Sequence, residues 1–434
     1  MSTLEMISDP TQPASLNMGG EGTRGTLLFD ALHAFSARCI AIVSALLVSM
    51  MTARALGPSG RGDYFLVVTF AALISQISNF GLHSSNTYLV AKDRSIFSRL
   101  FINTIWISLV AGTCSSLIGL VLIKYTHLIA TRNAGTLSFS IGLVPASLFF
   151  VLGCSLLVGI GDIKKFNTIQ IAAYAILALC VGVAAALHLG VFGFLAFTLV
   201  GWLVTAAFLA MSLHVPQGSV WFDPRTFVKG WRYSAKAYTA ALLGLMVLRS
   251  NVFLLKFLCG SREVGYYSIA AQMADALVVL PVAVGTVLFP RLVTDADSAW
   301  EITKRTAIIV AGIMLILCVA SLFLAGPFIR IMYGTAFLPT VPVVLCMLPG
   351  ALSLGVISIV SQFLSAQGFP RAQVLIWFVS FILNVVISGF LISRASIVGA
   401  ALGMSATYCV AFVLIICLAF KVKHNASRVR YALA

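Results

Sequence analysis

The chain has 434 residues, 60% of them hydrophobic and only 9% charged, with a mean hydropathy of +1.04. That make-up excludes a soluble globular protein of average composition and calls for a bilayer. The formal charge of +15 does not read as a nucleic-acid footprint, because the basic residues sit at the ends of apolar runs, where they set topology and meet anionic lipid head groups.

In chain order, residues 1–26 are polar and rich in Gly, Pro, Ser and Thr, without the basic-then-apolar order of a cleaved signal. They are expected to form a disordered cytoplasmic tail. Apolar runs then mark spans near 27–53, 62–82, 98–123, 136–160, 166–188 and 190–213. The break that follows holds Trp221, Phe222, Phe227 and Trp231 among Arg225, Lys229 and Arg232. This mixture predicts an amphipathic linker, 214–233, on the cytoplasmic interface. Spans resume near 234–258, 264–289, 305–325, 338–364, 372–393 and 396–420, before a basic tail at 421–434. Runs of about 20 apolar residues suit membrane helices, and strand alternation is absent. The expected fold class is therefore an all-α integral membrane protein of twelve transmembrane helices.

With the N-terminus in the cytoplasm, the tails and even-numbered loops carry 18 Lys and Arg and the other loops 8, while Arg38 and Arg249 lie inside spans. By the positive-inside rule both termini are cytoplasmic, in a plasma or inner membrane. The nine cysteines fall singly, with no CxxC pair and no histidine cluster, so disulfides, zinc and other cofactors are not expected.

The chain also repeats itself. Arg54-Ala-Leu-Gly57 leading to Gly62-Asp-Tyr64 returns as Lys256-Phe-Leu-Cys259 leading to Gly265-Tyr-Tyr267. Gly159-Ile-Gly161-Asp returns as Gln367-Gly368-Phe-Pro370, and Gly190-Val-Phe-Gly193 as Ser396-Ile-Val-Gly399. The offsets nearly agree, from 265 − 62 = 203 through 399 − 193 = 206 to 368 − 161 = 207. An even number of spans per half means that both halves enter from the same side. That makes two parallel six-helix lobes, 27–213 and 234–420, with a substrate cavity expected between them.

Several motifs resemble the polysaccharide and oligosaccharidyl-lipid (O-antigen) flippases of the multidrug/oligosaccharidyl-lipid/polysaccharide exporter superfamily, whose fold is MATE-like. They are Ala53-Arg54-Ala-Leu-Gly57-Pro58 followed by Gly62 and Tyr64, then Val287-Leu-Phe-Pro290-Arg291, and Ile331-Met-Tyr333-Gly334-Thr-Ala-Phe337. The resemblance covers roughly residues 27 to 420. It implies a carrier, not an enzyme, that moves a polyprenyl-diphosphate-linked glycan to the outer leaflet by alternating access. Implied partners are the lipid-linked glycan, membrane lipids, a glycan polymerase and export machinery, and not nucleic acid. One departure is Asn251, where many members carry an acidic residue two positions after the arginine.

A diphosphate cannot enter hydrocarbon without losing its hydration, so fixed cations in a wet cavity are needed. Arg38 and Arg249 are the candidates. Arg38 shares a helix face with Ala34, Ala41, Ala45, Ser49 and Thr52, all small or polar, opposite Ile40, Val43 and Leu47. That stripe suits a lumen or close helix packing. Arg249 and Asp275 flank the turn near Ser261 at similar depth, so they can pair, either as a structural ion pair or as a site where the diphosphate competes with Asp275. Asp275 and His33 are candidate ion-coupling groups, His33 otherwise being an interfacial histidine. Gln76 and Gln272 are candidate glycan ligands, like Gln170, although interhelical hydrogen bonding explains such residues equally well. The turn Gly57-Pro-Ser-Gly60-Arg61-Gly62 lacks the Gly-Lys-Ser/Thr ending of a phosphate loop and reads as an outer turn. The rival functions are a MATE-type small-molecule exporter, disfavoured by the cations, and a membrane glycan polymerase or ligase, disfavoured by short outer loops.

Overall fold

The computed structural model describes residues 22–126, 134–213, 221–295, 298–368 and 370–433, with side chains from Ile40 onward except at 126, 134, 232–233, 236–237 and 425–433. Among the described residues, twelve long helices make up the bundle. The first lobe holds α1 (22–56), α2 (58–78, resuming as Leu82–Lys92), α3 (97–126), α4 (Ser140–Ile160), α5 (Ile163–Ala186) and α6 (Val191–Ser212). The second holds α7 (Pro224–Leu258), α8 (Ser261–Thr294), α9 (Ala299–Tyr333), α10 (Thr340–Ala366), α11 (371–394) and α12 (397–433).

Sequence explains where these helices stop. Gly57, at φ 65° and ψ −178°, breaks the chain between α1 and α2, and Pro58 starts the new helix at a position where a missing N–H costs nothing. Asp162 caps α5 by accepting the Lys165 N–H at 3.0 Å, and Asp223 caps α7 from the N–H groups of Arg225 and Thr226. Such caps satisfy donors that have no partner inside the helix.

The outward surface is apolar. Leu122, Ile316 and Phe323 are 58%, 70% and 75% exposed, a pattern that only lipid can cover. Ten stretches among the described residues are long and apolar enough to cross a membrane, and two of them, Ile40–Ser78 and Arg371–His424, each join a pair of the helices above. The protein is a multi-pass membrane protein. The expected spans coincide with the helices to within several residues at most ends, but α7 begins at Pro224, so residues 224–233 form its first turns. Residues 1–21 and 214–220, the body of the expected tail and the start of the expected linker, lie outside the described residues.

The lobes meet along α2 and α8 with reciprocal geometry. A Cβ on Gly62 would stand 1.7 Å from the Ser261 carbonyl oxygen, and one on Gly265 would stand 1.9 Å from the Pro58 carbonyl oxygen. Each glycine therefore admits the backbone four residues before its counterpart. Such backbone approach is how membrane helices gain packing contact, and its two-fold character is what a parallel duplication requires. Beside it, Arg54 donates to the carbonyls of Met332 at 3.0 Å and Ile331 at 2.5 Å, unpaired acceptors at the end of α9. Lys256 pairs with Asp63 at 3.0 Å. The lobes are thus tied at the end bearing the α1–α2 and α7–α8 turns.

Candidate functional site

Below that seam lies a cavity of about 1270 Å³ between the lobes. It extends toward the end carrying the 161–162 turn, with Val158, Ile163 and Pro290 in its wall. Ala41 and Ala45 line it, while Ile40, Val43 and Leu47 on the opposite side of α1 are exposed. Ala41 and Ala45 of the small-residue stripe therefore face the interior. The remaining polar wall comes from Thr69 on α2, Asn167, Gln170 and Tyr174 on α5, Arg249 on α7, and Gln272, Asp275 and Thr286 on α8.

The two walls are related by position and differ in chemistry. Subtracting the repeat offset of 203 takes Arg249 to Leu46, Gln272 to Thr69 and Asp275 to Ala72, and all three counterparts also line the cavity. At these positions one scaffold thus presents both charges from the second lobe and neutral groups from the first.

Arg249 and Asp275, placed at equal depth by the α7–α8 hairpin, form an ion pair, Nη2 to Oδ2 at 2.7 Å. Their side chains are 20% and 31% exposed, so the pair is wet on its cavity side. The second terminal nitrogen of Arg249, Nη1, is buried and has no hydrogen-bond partner among the described residues. Burying an arginine N–H without an acceptor costs at least roughly 1–3 kcal/mol, and more where the group is charged.

Gln272 connects the cavity to the seam. Its Oε1 accepts from the Ser49 hydroxyl and, at 2.9 Å, from Nη2 of Arg61. Arg61, expected in an outer turn, lies instead in the first turn of α2 with 1% exposure. The reason is that Gly57 alone makes the turn, so the helix has already restarted at Arg61. Its guanidinium spans both lobes, donating to Ser268 Oγ at 3.3 Å, to Ser49 Oγ at 3.2 Å and to Thr52 Oγ1. The rings of Tyr64 and Phe65 lie 5.8 and 5.7 Å from its carbon, contacts worth on the order of 0.5–2 kcal/mol each. Among the described residues its hydrogen-bond partners are neutral oxygens. A signal for this burial was present in the repeat: 61 + 203 = 264, and Val264 is 0% exposed.

Asn251 belongs to a closed neutral network. Its amide donates to the Ala400 carbonyl at 3.1 Å and its oxygen accepts from Asn384 at 3.0 Å. Gln76 is half-buried on α2 and is absent from the cavity wall, which ends on that helix at Ala72. Arg38 and His33 lie on α1, with side chains outside the described residues.

Known proteins share this architecture. The structure is similar to the lipid II flippase MurJ in an inward closed conformation, with a TM-score of 0.73 and 13% identity over 91% of this chain and 87% of that one. It is also similar to a multidrug resistance MATE family transporter of the MOP superfamily in its inward-facing conformation, with a TM-score of 0.69 and 14% identity over 91% and 99%. An outward-facing structure of a MATE family transporter of that superfamily scores 0.63, at 14% identity over 91% and 95%. A comparison with curated proteins finds no match. The family profile described as "polysaccharide biosynthesis protein" matches residues 31–294, more than half of the chain, and the chain therefore belongs to the polysaccharide biosynthesis protein family, on the twelve-helix fold of the MOP superfamily.

Proposed function

We propose that this protein is a flippase that carries a polyprenyl-diphosphate-linked oligosaccharide across the cytoplasmic membrane by alternating access. The observation that carries the reading is the Arg249–Asp275 pair on the cavity wall, with Arg249 Nη1 unpartnered. A diphosphate displaces the Asp275 carboxylate from Arg249, and once released the guanidinium turns its free N–H to the ligand as well, so the site offers a bidentate cation to an anion that hydrocarbon excludes. The cavity volume exceeds the roughly 300–1,000 Å³ of small-molecule pockets, which suits a glycan head group better than a drug-sized cargo.

In this reading residues 27–213 and 234–420 are the two moving lobes, and both termini are cytoplasmic. The seam at Gly62 and Gly265 then closes the outer side, and the substrate enters from the inner leaflet. Arg38, one helical turn from the cavity-lining Ala41, supplies a second cation nearer the entrance, and His33 and Asp275 exchange the protons that reset the carrier. The energy comes from an ion gradient or from coupling to later glycan assembly, with a glycan polymerase and export machinery as downstream partners. The protein performs transport rather than covalent chemistry. The decisive experiment is a leaflet assay on the reconstituted protein with a fluorescent polyprenyl-diphosphate glycan. Movement above that of protein-free vesicles is expected, and none under any imposed ion gradient would overturn the reading.

A further inference from the structure

Opposite the charged wall, α5 presents Asn167, Gln170 and Tyr174 to the cavity at i, i+3 and i+7, which places them on one helix face. Asn167 is only 6% exposed, and neither its amide nor that of Gln170 has a hydrogen-bond partner among the described residues. A buried carboxamide is normally satisfied, because it can both donate and accept and loses water on both sides when it is not. Unpartnered amides aimed into a cavity point to a ligand that supplies both kinds of group.

Carbohydrate hydroxyls do so. The face of a pyranose, lined with weakly positive C–H groups, also stacks on the electron-rich face of an aromatic ring such as that of Tyr174. Seven residues separate Asn167 from Tyr174, about 10 Å of helical rise, so the stripe has room for more than one sugar ring.

We infer that the Asn167–Gln170–Tyr174 face of α5 is the sugar-recognition subsite, reading the glycan while the opposite wall holds its diphosphate. This inference rests on the flippase reading and adds a division of labour to it: the charged lobe binds what all such lipids share, and α5 discriminates among them.

The test uses the purified full-length protein in detergent, with ligand binding read by native mass spectrometry. The probes are a polyprenyl diphosphate without sugar and the same lipid bearing one hexose, N-acetylhexosamine or deoxyhexose. The wild-type protein is expected to bind at least one glycosylated probe about tenfold more tightly than the bare lipid. In Asn167→Ala/Gln170→Ala that preference should shrink to within about twofold, with the bare lipid still bound. Tyr174→Phe, which keeps the ring, should retain more of the preference than Tyr174→Leu. Arg249→Gln should weaken every probe, the bare lipid included, and preserve the ratio. A wild-type protein that binds bare and glycosylated lipids alike overturns the subsite, as does a preference surviving the double substitution. Failure to bind any of the probes overturns the flippase reading with it.

Discussion

Gly62 and Gly265, 203 positions apart, face each other's helices so closely that neither can carry a side chain without meeting the other lobe's backbone. The relationship is reciprocal, and it makes this seam the place where the two halves of the duplication must separate if the carrier is to open there. Gly62→Ala and Gly265→Ala should each weaken the seam by about 1–3 kcal/mol, the usual range for overpacking. Ser268, 0% exposed beneath it, reports the change. A cysteine replacing Ser268 in a cysteine-free background should react slowly with a water-soluble maleimide, and quickly once either glycine is replaced. Equal rates would show that the contact does not hold the lobes together.

Arg249 and Asp275 should separate by charge. Arg249→Ala is expected to lower flipping by about 10- to 100-fold, the value of a charged hydrogen bond, whereas Arg249→Lys retains part of the rate because it keeps the charge without the bidentate geometry. Asp275→Asn should alter the pH dependence of transport. An unchanged rate and profile in that variant would remove Asp275 from coupling and leave it a structural ion pair.

Replacing Arg61 should cost stability before it costs binding. Arg61→Met removes four bonds that a charged group donates to Ser49, Thr52, Ser268 and Gln272, each worth about 1.5–3 kcal/mol. Arg54→Met, an exposed site whose acceptors are helix-end carbonyls, should cost much less. Thermal unfolding in detergent ranks the two, and the opposite order would refute the burial argument.

Asn251→Asp tests the neutral network. The carboxylate keeps its bond from Asn384 but turns an oxygen toward the Ala400 carbonyl in place of an N–H. The variant should be less stable than wild type at neutral pH, with the difference narrowing in acid as the carboxyl regains a proton. Enhanced stability at neutral pH upon adding sodium would instead mean that the new carboxylate builds a cation site.

Asp223 gives a pH dependence outside the membrane. Its carboxyl is held below the ordinary aspartate value of 3.8 chiefly by the Thr226 hydroxyl, helped by the N–H groups of Thr226 and Arg225 and by nearby Arg99, with burial opposing. A lowered value in the folded state means that the cap stabilises the protein above the ordinary value and stops doing so as pH falls through the lowered one. Asp223→Ala should therefore melt earlier than wild type near neutrality, by about 1 kcal/mol for a lost cap. The two should converge well below pH 3.8. A gap that persists there would point to a backbone cause.

Much of the fold was legible because its determinants are local. The length of each apolar run decides that it spans a bilayer, Gly57 and Pro58 decide a break, and the returning Gly-x-Tyr turns decide a duplication. Arg249 with Asp275 was legible for the same reason, since one tight hairpin fixes their relative depth. The burial of Arg61 was not legible, because a charge beside a turn has the local pattern of a loop residue. The place of Asn167 was not legible either, because a polar residue near a span end carries no mark of the cavity it faces.

The sequence by itself therefore determined that this is a membrane protein of two equivalent halves with a few charges inside. Only the tertiary structure decided which polar groups share a cavity and which lock the seam, because those outcomes depend on how each helix is rotated against distant ones. The bond from Arg61 to Gln272 spans 211 residues, and nothing in local periodicity brings such a pair within 2.9 Å.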